Sequence, residues 1–326
     1  MELSTGAPMR GEMLRRLTAF LALCELDYDP GIEYTAALLS EEDEIIAAGS
    51  LDGQTLKCLA VHPDWQGMDL LSRVMTALFE EAFRRGRRAL MLFTKPKNEY
   101  LFQSFGFYPV MRTASVLLME NRRSGLADFL SGLERPENSG HTGCIVAHCD
   151  PMTKGHLYLI QTAAKRCDTL HVFILSEDKG RFSPEKRLRL AREACREMPN
   201  VYVHPSGPYM ISSATFPDYF IRDKSRVNEI RCELDIRIFA ERVAPALGIT
   251  ERFVGTEPFS PTTNAYNMEL KRLLPGYGIQ CTEIPRLEEN GTAVSATRVR
   301  ALLEEGNQEA LEPLLPYPVS ELLREE

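Results

Sequence analysis

The sequence has no apolar run near the ~20 residues that span a bilayer. Its opening, Met1-Glu2-Leu3-Ser4, lacks the charged-then-apolar plan of a secretory leader. Together these absences point to a cytoplasmic protein with no membrane partner. Cys-x-x-Cys pairs are missing as well. The eight cysteines stand singly, the pattern of reduced core thiols rather than of a disulfide framework. Basic residues are in deficit, 38 Lys+Arg against 46 Asp+Glu, for a net charge of −8. That balance makes the chain a poor candidate for non-specific nucleic-acid binding, which runs on a phosphate-neutralising basic face. No internal repeat stands out. What remains is an ordinary soluble composition, 44% hydrophobic and 26% charged, which excludes a disordered or collagen-like chain. At ~150 residues per domain, 326 residues imply two domains.

The first segment runs to about Glu120. Leu14, Leu17, Phe20, Leu21 and Leu23 recur at helical spacing. Strands are expected over Tyr34–Leu39, Glu44–Ser50 and Thr55–Val61, the last two joined by the hairpin signal Asp52-Gly53. A helix over Gly67–Arg85 follows, with Gly86 placed to cap its end. Short strands are expected at Ala89–Phe93, Phe107–Val110 and Thr113–Met119, with a short helix over Asn98–Phe105. The polar stretch Glu134-Arg135-Pro136-Glu137-Asn138-Ser139-Gly140 marks the boundary, giving domains over 1–135 and 136–326.

The second segment alternates strand and helix, with strands at Cys144–Ala147, Thr169–Leu175, Val201–His204, Arg252–Gly255 and Gln280–Ile284. That alternation predicts a parallel sheet covered on both faces, with ligands at the carboxyl ends of its strands. Its first strand leads into His148-Cys149-Asp150-Pro151-Met152-Thr153-Lys154-Gly155-His156. Pro151 fixes the turn, and Gly155 lets the backbone approach a ligand closely. His156 falls in the first turn of a helix, where N–H groups and the dipole favour an anion. With the Thr153 hydroxyl added, this makes a corner suited to phosphate. A second motif, Val294-Ser295-Ala296-Thr297-Arg298-Val299-Arg300, opens another helix whose hydroxyls, N–H groups and Arg298 suit a second phosphate. Each motif taken alone is also an ordinary capped helix start.

Together the two motifs resemble the HxGH-type nucleotidyltransferases. Further stretches narrow the resemblance to the citrate lyase ligase family. They are Leu170–Asp178, Val203–Gly207, Ile211–Pro217 and Gly255-Thr256-Glu257-Pro258-Phe259-Ser260 followed by Tyr266-Asn267. The likeness extends over nearly the whole chain. It implies an ATP-dependent ligase, with Mg²⁺ held by the ATP phosphates rather than by a protein metal site. The ligase would convert acetate to acetyl-adenylate, releasing pyrophosphate. It would then acetylate the prosthetic-group thiol on the acyl carrier subunit of citrate lyase, releasing AMP. Thr153 and His156 match the phosphate-binding loop, with His156 stabilising the pentavalent phosphorus, and His148 sits where acetate meets the α-phosphate. Gly155, Ser295, Thr297 and Arg298 would hold phosphates. Gly255 and Thr256 lie toward the adenosine, and Lys179 and Arg181 are placed to reach phosphates or are surface charge. Asp150 stands where the family tends to carry Asn. Two rivals stay open: a nucleotidyltransferase acting on a phosphate-ester cofactor precursor, and an acyltransferase whose second domain only senses nucleotides.

The first segment resembles a GNAT-type acyltransferase, through Leu59-Ala60-Val61-His62-Pro63-Asp64-Trp65-Gln66-Gly67, Asn98 and Leu101–Phe107. The expected fold is thus a GNAT-like mixed sheet followed by a Rossmann-like parallel sheet. The usual Arg/Gln-x-x-Gly-x-Gly/Ala loop is reduced here to Gln66-Gly67-Met68-Asp69-Leu70-Leu71, with a carboxylate where a pyrophosphate would lie. The resemblance implies a cleft between splayed strands near Val61 and Phe93, suited to a pantetheine arm.

Overall fold

The computed structural model describes residues 1–137, 140–178, 180–258, 260–289 and 292–324. The described chain forms two compact units. One holds Met1–Leu126 together with Phe216–Leu234, and the other holds Ala127–Thr215 and Asp235–Glu326. The sequence places one boundary near 135. In the structure the chain also passes back to the first unit for Phe216–Leu234 before returning to the second.

The first unit is a seven-stranded mixed sheet in the order β1-β2-β3-β4-β5-β7-β6. Its strands are β1 (Glu2–Gly6), β2 (Tyr34–Leu39), β3 (Ile45–Asp52), β4 (Thr55–Val61), β5 (Met91–Thr94), β6 (Tyr108–Arg112) and β7 (Leu117–Glu120). Only β4 and β5 run parallel, and they pair at just two positions, Thr55↔Met91 and Leu56↔Leu92. Helices α1 (Gly11–Leu23), α2 (Leu70–Arg84) and α3 (Glu99–Gln103) belong to this unit. The α2 helix buries Leu70, Leu71, Val74, Met75 and Leu78, an i, i+1, i+4, i+5, i+8 stripe, against Leu38, Ile46 and Leu56 of the sheet. Gly49 is dictated by that packing, because a Cβ there would stand 2.6 Å from Leu59 Cδ2 and 2.9 Å from Val74 Cγ1. β1 was not foreseen: Glu2-Leu3-Ser4-Thr5-Gly6 is polar, and what holds it is antiparallel pairing with β2 rather than an apolar face.

The second unit opens with α4 (Gly125–Ser131), which begins at the end of the first. It carries a five-stranded sheet in the order β10-β9-β8-β11-β12, parallel throughout. The strands are β8 (Thr142–Ala147), β9 (Thr169–Ile174), β10 (Val201–Pro205), β11 (Glu251–Gly255) and β12 (Gln280–Ile284). Strand order reverses direction between β8 and β11, so the chain leaves their carboxyl ends on opposite sides and opens a crevice there. The unit's helices are α5 (Lys154–Ala164), α6 (Pro184–Cys195), the end of α7 (Val227–Ile238, which belongs to the first unit as far as Leu234), α8 (Ala244–Leu247), α9 (Pro261–Leu273) and α10 (Ala296–Glu305). A π-helical turn, Phe239–Val243, joins α7 to α8. On one face Ile160, Ala163, Leu190 and Ala191 pack with Ile145, Leu170, Val172 and Ile174. Among the described residues no helix is long and apolar enough to cross a membrane.

Candidate active site

The loop from β8 to α5 is built by buried polar pairs. Asp150 is 3% exposed, and its carboxylate accepts from two backbone N–H groups, Arg181 (3.0 Å) and Phe182 (3.0 Å). Gly180 is needed for that approach, since a Cβ would lie 2.8 Å from Asp150 Oδ2. The Asp150–Pro151 peptide is cis, and Cys149 adopts φ +50°. Arg187, wholly buried on α6, donates to three carbonyls: Phe182 (3.1 Å), His148 (3.0 Å) and Glu177. The loop 148–153 is therefore tied to Glu177 and to residues 180–182.

Thr153 caps α5 through a reciprocal box with His156. The His156 N–H donates to Thr153 Oγ1 (3.4 Å), while the Thr153 N–H donates to His156 Nδ1 (3.2 Å). The Thr153 hydroxyl also lies 2.9 Å from Nδ1. An Nδ1 that accepts from a backbone N–H carries no proton, so the neutral ring is protonated at Nε2. Burial, with the neighbouring charges of Arg286, His148 and Arg300, lowers the His156 pKa to about 4. At neutral pH this residue is an uncharged donor at the N-terminus of a helix.

His148 lies at the end of β8. Its Nε2 stands 3.3 Å from Glu177 Oε1 but makes no hydrogen bond among the described residues. Burial first, and then Arg187, lowers its pKa. Glu177 itself is held by the Ser212 hydroxyl, whose own loop is closed by the Ser212 N–H donating to Thr215 Oγ1 (3.0 Å).

Gly155 is expected to admit a ligand. In the structure its open side is filled by the protein: a Cβ would lie 2.9 Å from the carbonyl oxygen of Val294. That contact seats the residue before Ser295 directly on the start of α5, and so brings the two sequence motifs side by side. Ser295 caps α10 by accepting from the Arg298 N–H (3.2 Å). Arg298 and Thr297 are exposed. The arginine turned toward the first loop is Arg300, which donates to the Asp150 carbonyl (2.6 Å) and to Thr297 Oγ1 (3.2 Å). Arg181 pairs with Glu304 (3.1 Å). Lys179 lies outside the described residues, as does Phe259.

Gly255 and Thr256 follow β11 on the other side of the crevice. The Gly255 carbonyl accepts from Asn267 Nδ2 (2.9 Å). Arg286 wraps Thr256, donating to its hydroxyl (backbone N–H, 3.1 Å) and its carbonyl (Nε, 2.7 Å), and pairs with Glu257. Among the described residues no group of three or more His, Cys, Asp or Glu is arranged to hold a metal ion. Sequence reasoning did not single out Arg187, Arg286 or Arg300 for this site. Their partnerships with Glu177, Thr256 and Asp150 span 10, 30 and 150 positions, and no local pattern carries such a partnership.

The arrangement is two helix N-termini set against each other, with an uncharged imidazole donor and arginines around it. Such an assembly is chemically suited to a polyanion. Comparisons with known proteins give matches in both units. The family model "Citrate lyase ligase C-terminal domain" matches residues 142–323, and "Acetyltransferase (GNAT) family" matches 12–107. A [Citrate [pro-3S]-lyase] ligase of Klebsiella pneumoniae is 39% identical over 287 residues, 86% of this chain and 84% of that protein. One from Escherichia coli is 37% identical, covering 93% and 88%. A third, from Haemophilus influenzae, is 34% identical, covering 93% and 92%. This chain belongs to the citrate lyase ligase family.

Proposed function

We propose that the protein is an ATP-dependent ligase that activates acetate as acetyl-adenylate and passes the acetyl group to the thiol carried by the citrate lyase acyl carrier subunit. In the first step an acetate oxygen bonds to the α-phosphorus and the bond to pyrophosphate breaks. In the second, the thiol sulfur bonds to the acetyl carbon, the bond to the AMP oxygen breaks, and the thiol proton leaves to solvent. No residue forms a covalent intermediate, so catalysis is positioning and charge stabilisation.

The observation that carries the reading is the neutral His156 presenting Nε2–H at the start of α5, with the α10 start seated on Gly155 beside it. Thr153 fixes the ring, His156 donates to the phosphate undergoing attack, and the α10 start with Ser295, Thr297 and Arg298 receives the departing phosphates. Lys179 belongs to the same phosphate-binding set. Gly255 and Thr256 face the adenosine side. His148, next to Glu177, orients the acetate. Asp150 and Glu177 are already engaged by Arg181 and Phe182 N–H groups and by Ser212. Magnesium bound to the nucleotide phosphates would neutralise part of their charge without needing either carboxylate.

The test is ATP–pyrophosphate exchange with the purified protein. Exchange is expected to require acetate. Exchange driven by a phosphate ester such as 4′-phosphopantetheine, and not by acetate, would overturn the assignment.

A further inference from the structure

The opening between β4 and β5 is where the first unit departs from a continuous sheet. Their ladder ends at Leu56↔Leu92. Immediately beyond it β4 carries a bulge opposite Gly49, and Cys58 takes φ +52°. A bulge bends its strand and breaks pairing, so Cys58–Val61 turns away from Phe93 and Thr94. This is the place where the sequence suggests room for a pantetheine arm.

The described chain puts its own residues there. Tyr219 is 6% exposed, and its carbonyl accepts from the Asp27 N–H (2.9 Å). Its ring lies beside Cys58 of β4, and burial there holds its hydroxyl well above the usual tyrosine range. Phe216 meets Phe93 of β5 edge to face, with ring centroids 5.8 Å apart. Phe220 closes the cluster, 5.3 Å from Tyr219 and 6.5 Å from Phe216. Phe216, Phe220 and Ile221 are all buried. At the rim, Lys224 pairs with Asp27 (2.6 Å) and Arg222 with Glu25. One end of this segment is anchored on β4 and the other on β5.

We infer that Phe216–Ile221 is the resident occupant of the gap between β4 and β5, a built-in strap that closes the first unit to any thiol-bearing pantetheine ligand. Three aromatic rings and an aliphatic side chain fill what an unoccupied splay would leave for a narrow apolar arm. The loop at Met68-Asp69 fits the same conclusion. Asp69 enters α2 in the left-handed region with no side-chain cap, and it sets a carboxylate at the helix N-terminus, where a ligand phosphate would need positive potential. The first unit therefore takes its own chain as ligand. The inference does not rest on the adenylate chemistry proposed above.

Cys58 is the reporter. It is fully buried beside Tyr219, and burial pushes its thiol up to about 12, so it alkylates only when the strap opens. The experiment measures N-ethylmaleimide labelling of Cys58 in the full-length protein, mapped by mass spectrometry, with and without millimolar pantetheine, supplied as its S-methyl thioether because a free thiol would itself consume the maleimide. Pantetheine has no nucleotide part and so cannot use the phosphate corner of the second unit. In the unaltered protein labelling should be slow and indifferent to pantetheine. In Phe216→Ala/Tyr219→Ala it should rise about tenfold or more, while labelling of Cys149 in the second unit stays unchanged. Should that variant fail to fold, Tyr219→Phe keeps the ring and loses only the hydroxyl, and a severalfold rise is expected. Rapid labelling of the unaltered protein, its slowing by pantetheine, or an unchanged rate in the variant that folds would each overturn the inference.

Discussion

His156 shows how much work one side chain does. Its Nδ1 and backbone N–H complete the cap of α5, and its Nε2–H is left over for a substrate. Replacing it by alanine removes half of a capping box, about 1 kcal/mol of stability. Loss of the donor should lower acetate-dependent exchange by about 10²–10³. A folded His156→Ala protein with unaltered exchange would remove the residue from the chemistry. The low pKa, about 4, adds a pH statement. The ring is neutral throughout pH 5.5–8, so His156 itself imposes no acid limb on exchange in that range. The loop motif of Thr153, Gly155 and His156 was legible because all three residues sit within one turn. The role of Gly155 was not. The sequence says that a side chain is unwelcome there, but only the fold says that the carbonyl of Val294, 139 positions later, is the reason.

Among the elements, β4 was read to the residue, because it is a largely apolar run bounded by turn signals. β1 was invisible for the opposite reason, its order coming from backbone pairing. A pair of histidines joins β9 to β10 without having been singled out: His171 Nδ1 and His204 Nε2 are 2.9 Å apart, and both rings are buried. Each lies inside a strand run, where a lone histidine carries no signal. Burial lowers them to about 4 and about 3 respectively. The unfolded chain takes up protons near pH ~6.5, and the folded chain does so only well below. Between those limits the unfolded state binds more protons, so stability falls as pH drops below about 6.5 and is unaffected above it. Urea melts should lose at least on the order of 1 kcal/mol between pH 7 and pH 5. His204→Asn, with one such group fewer, should show a shallower loss. An identical acid slope in the two proteins would mean that the pair does not set it.

At the scale of the whole molecule, the alternation of strands and helices announced two α/β units, but not that the first unit is assembled from two stretches of sequence. Phe216–Leu234 reads locally as a loop and a helix start between β10 and β11. Its apolar residues gave no sign of which core they would join. The structure packs Phe216, Tyr219, Phe220, Ile221, Ile230 and Cys232 into buried positions within a unit whose other part is Met1–Leu126. At ~1.5–3 kcal/mol for each large buried side chain, that is on the order of 10 kcal/mol as an upper bound. A protein cut to begin at Ala127 would carry this surface uncovered, more than typical domain stability absorbs. It should be insoluble or aggregated, and it should not retain exchange activity, even though every residue of the phosphate corner lies after the cut. A second truncated protein, with Phe216, Tyr219, Phe220 and Ile221 replaced by serine, separates the two causes of failure. Recovered solubility there would attribute the loss to the uncovered strap. A soluble, monodisperse Ala127–Glu326 with full acetate-dependent exchange would show instead that the strap needs no cover from the first unit.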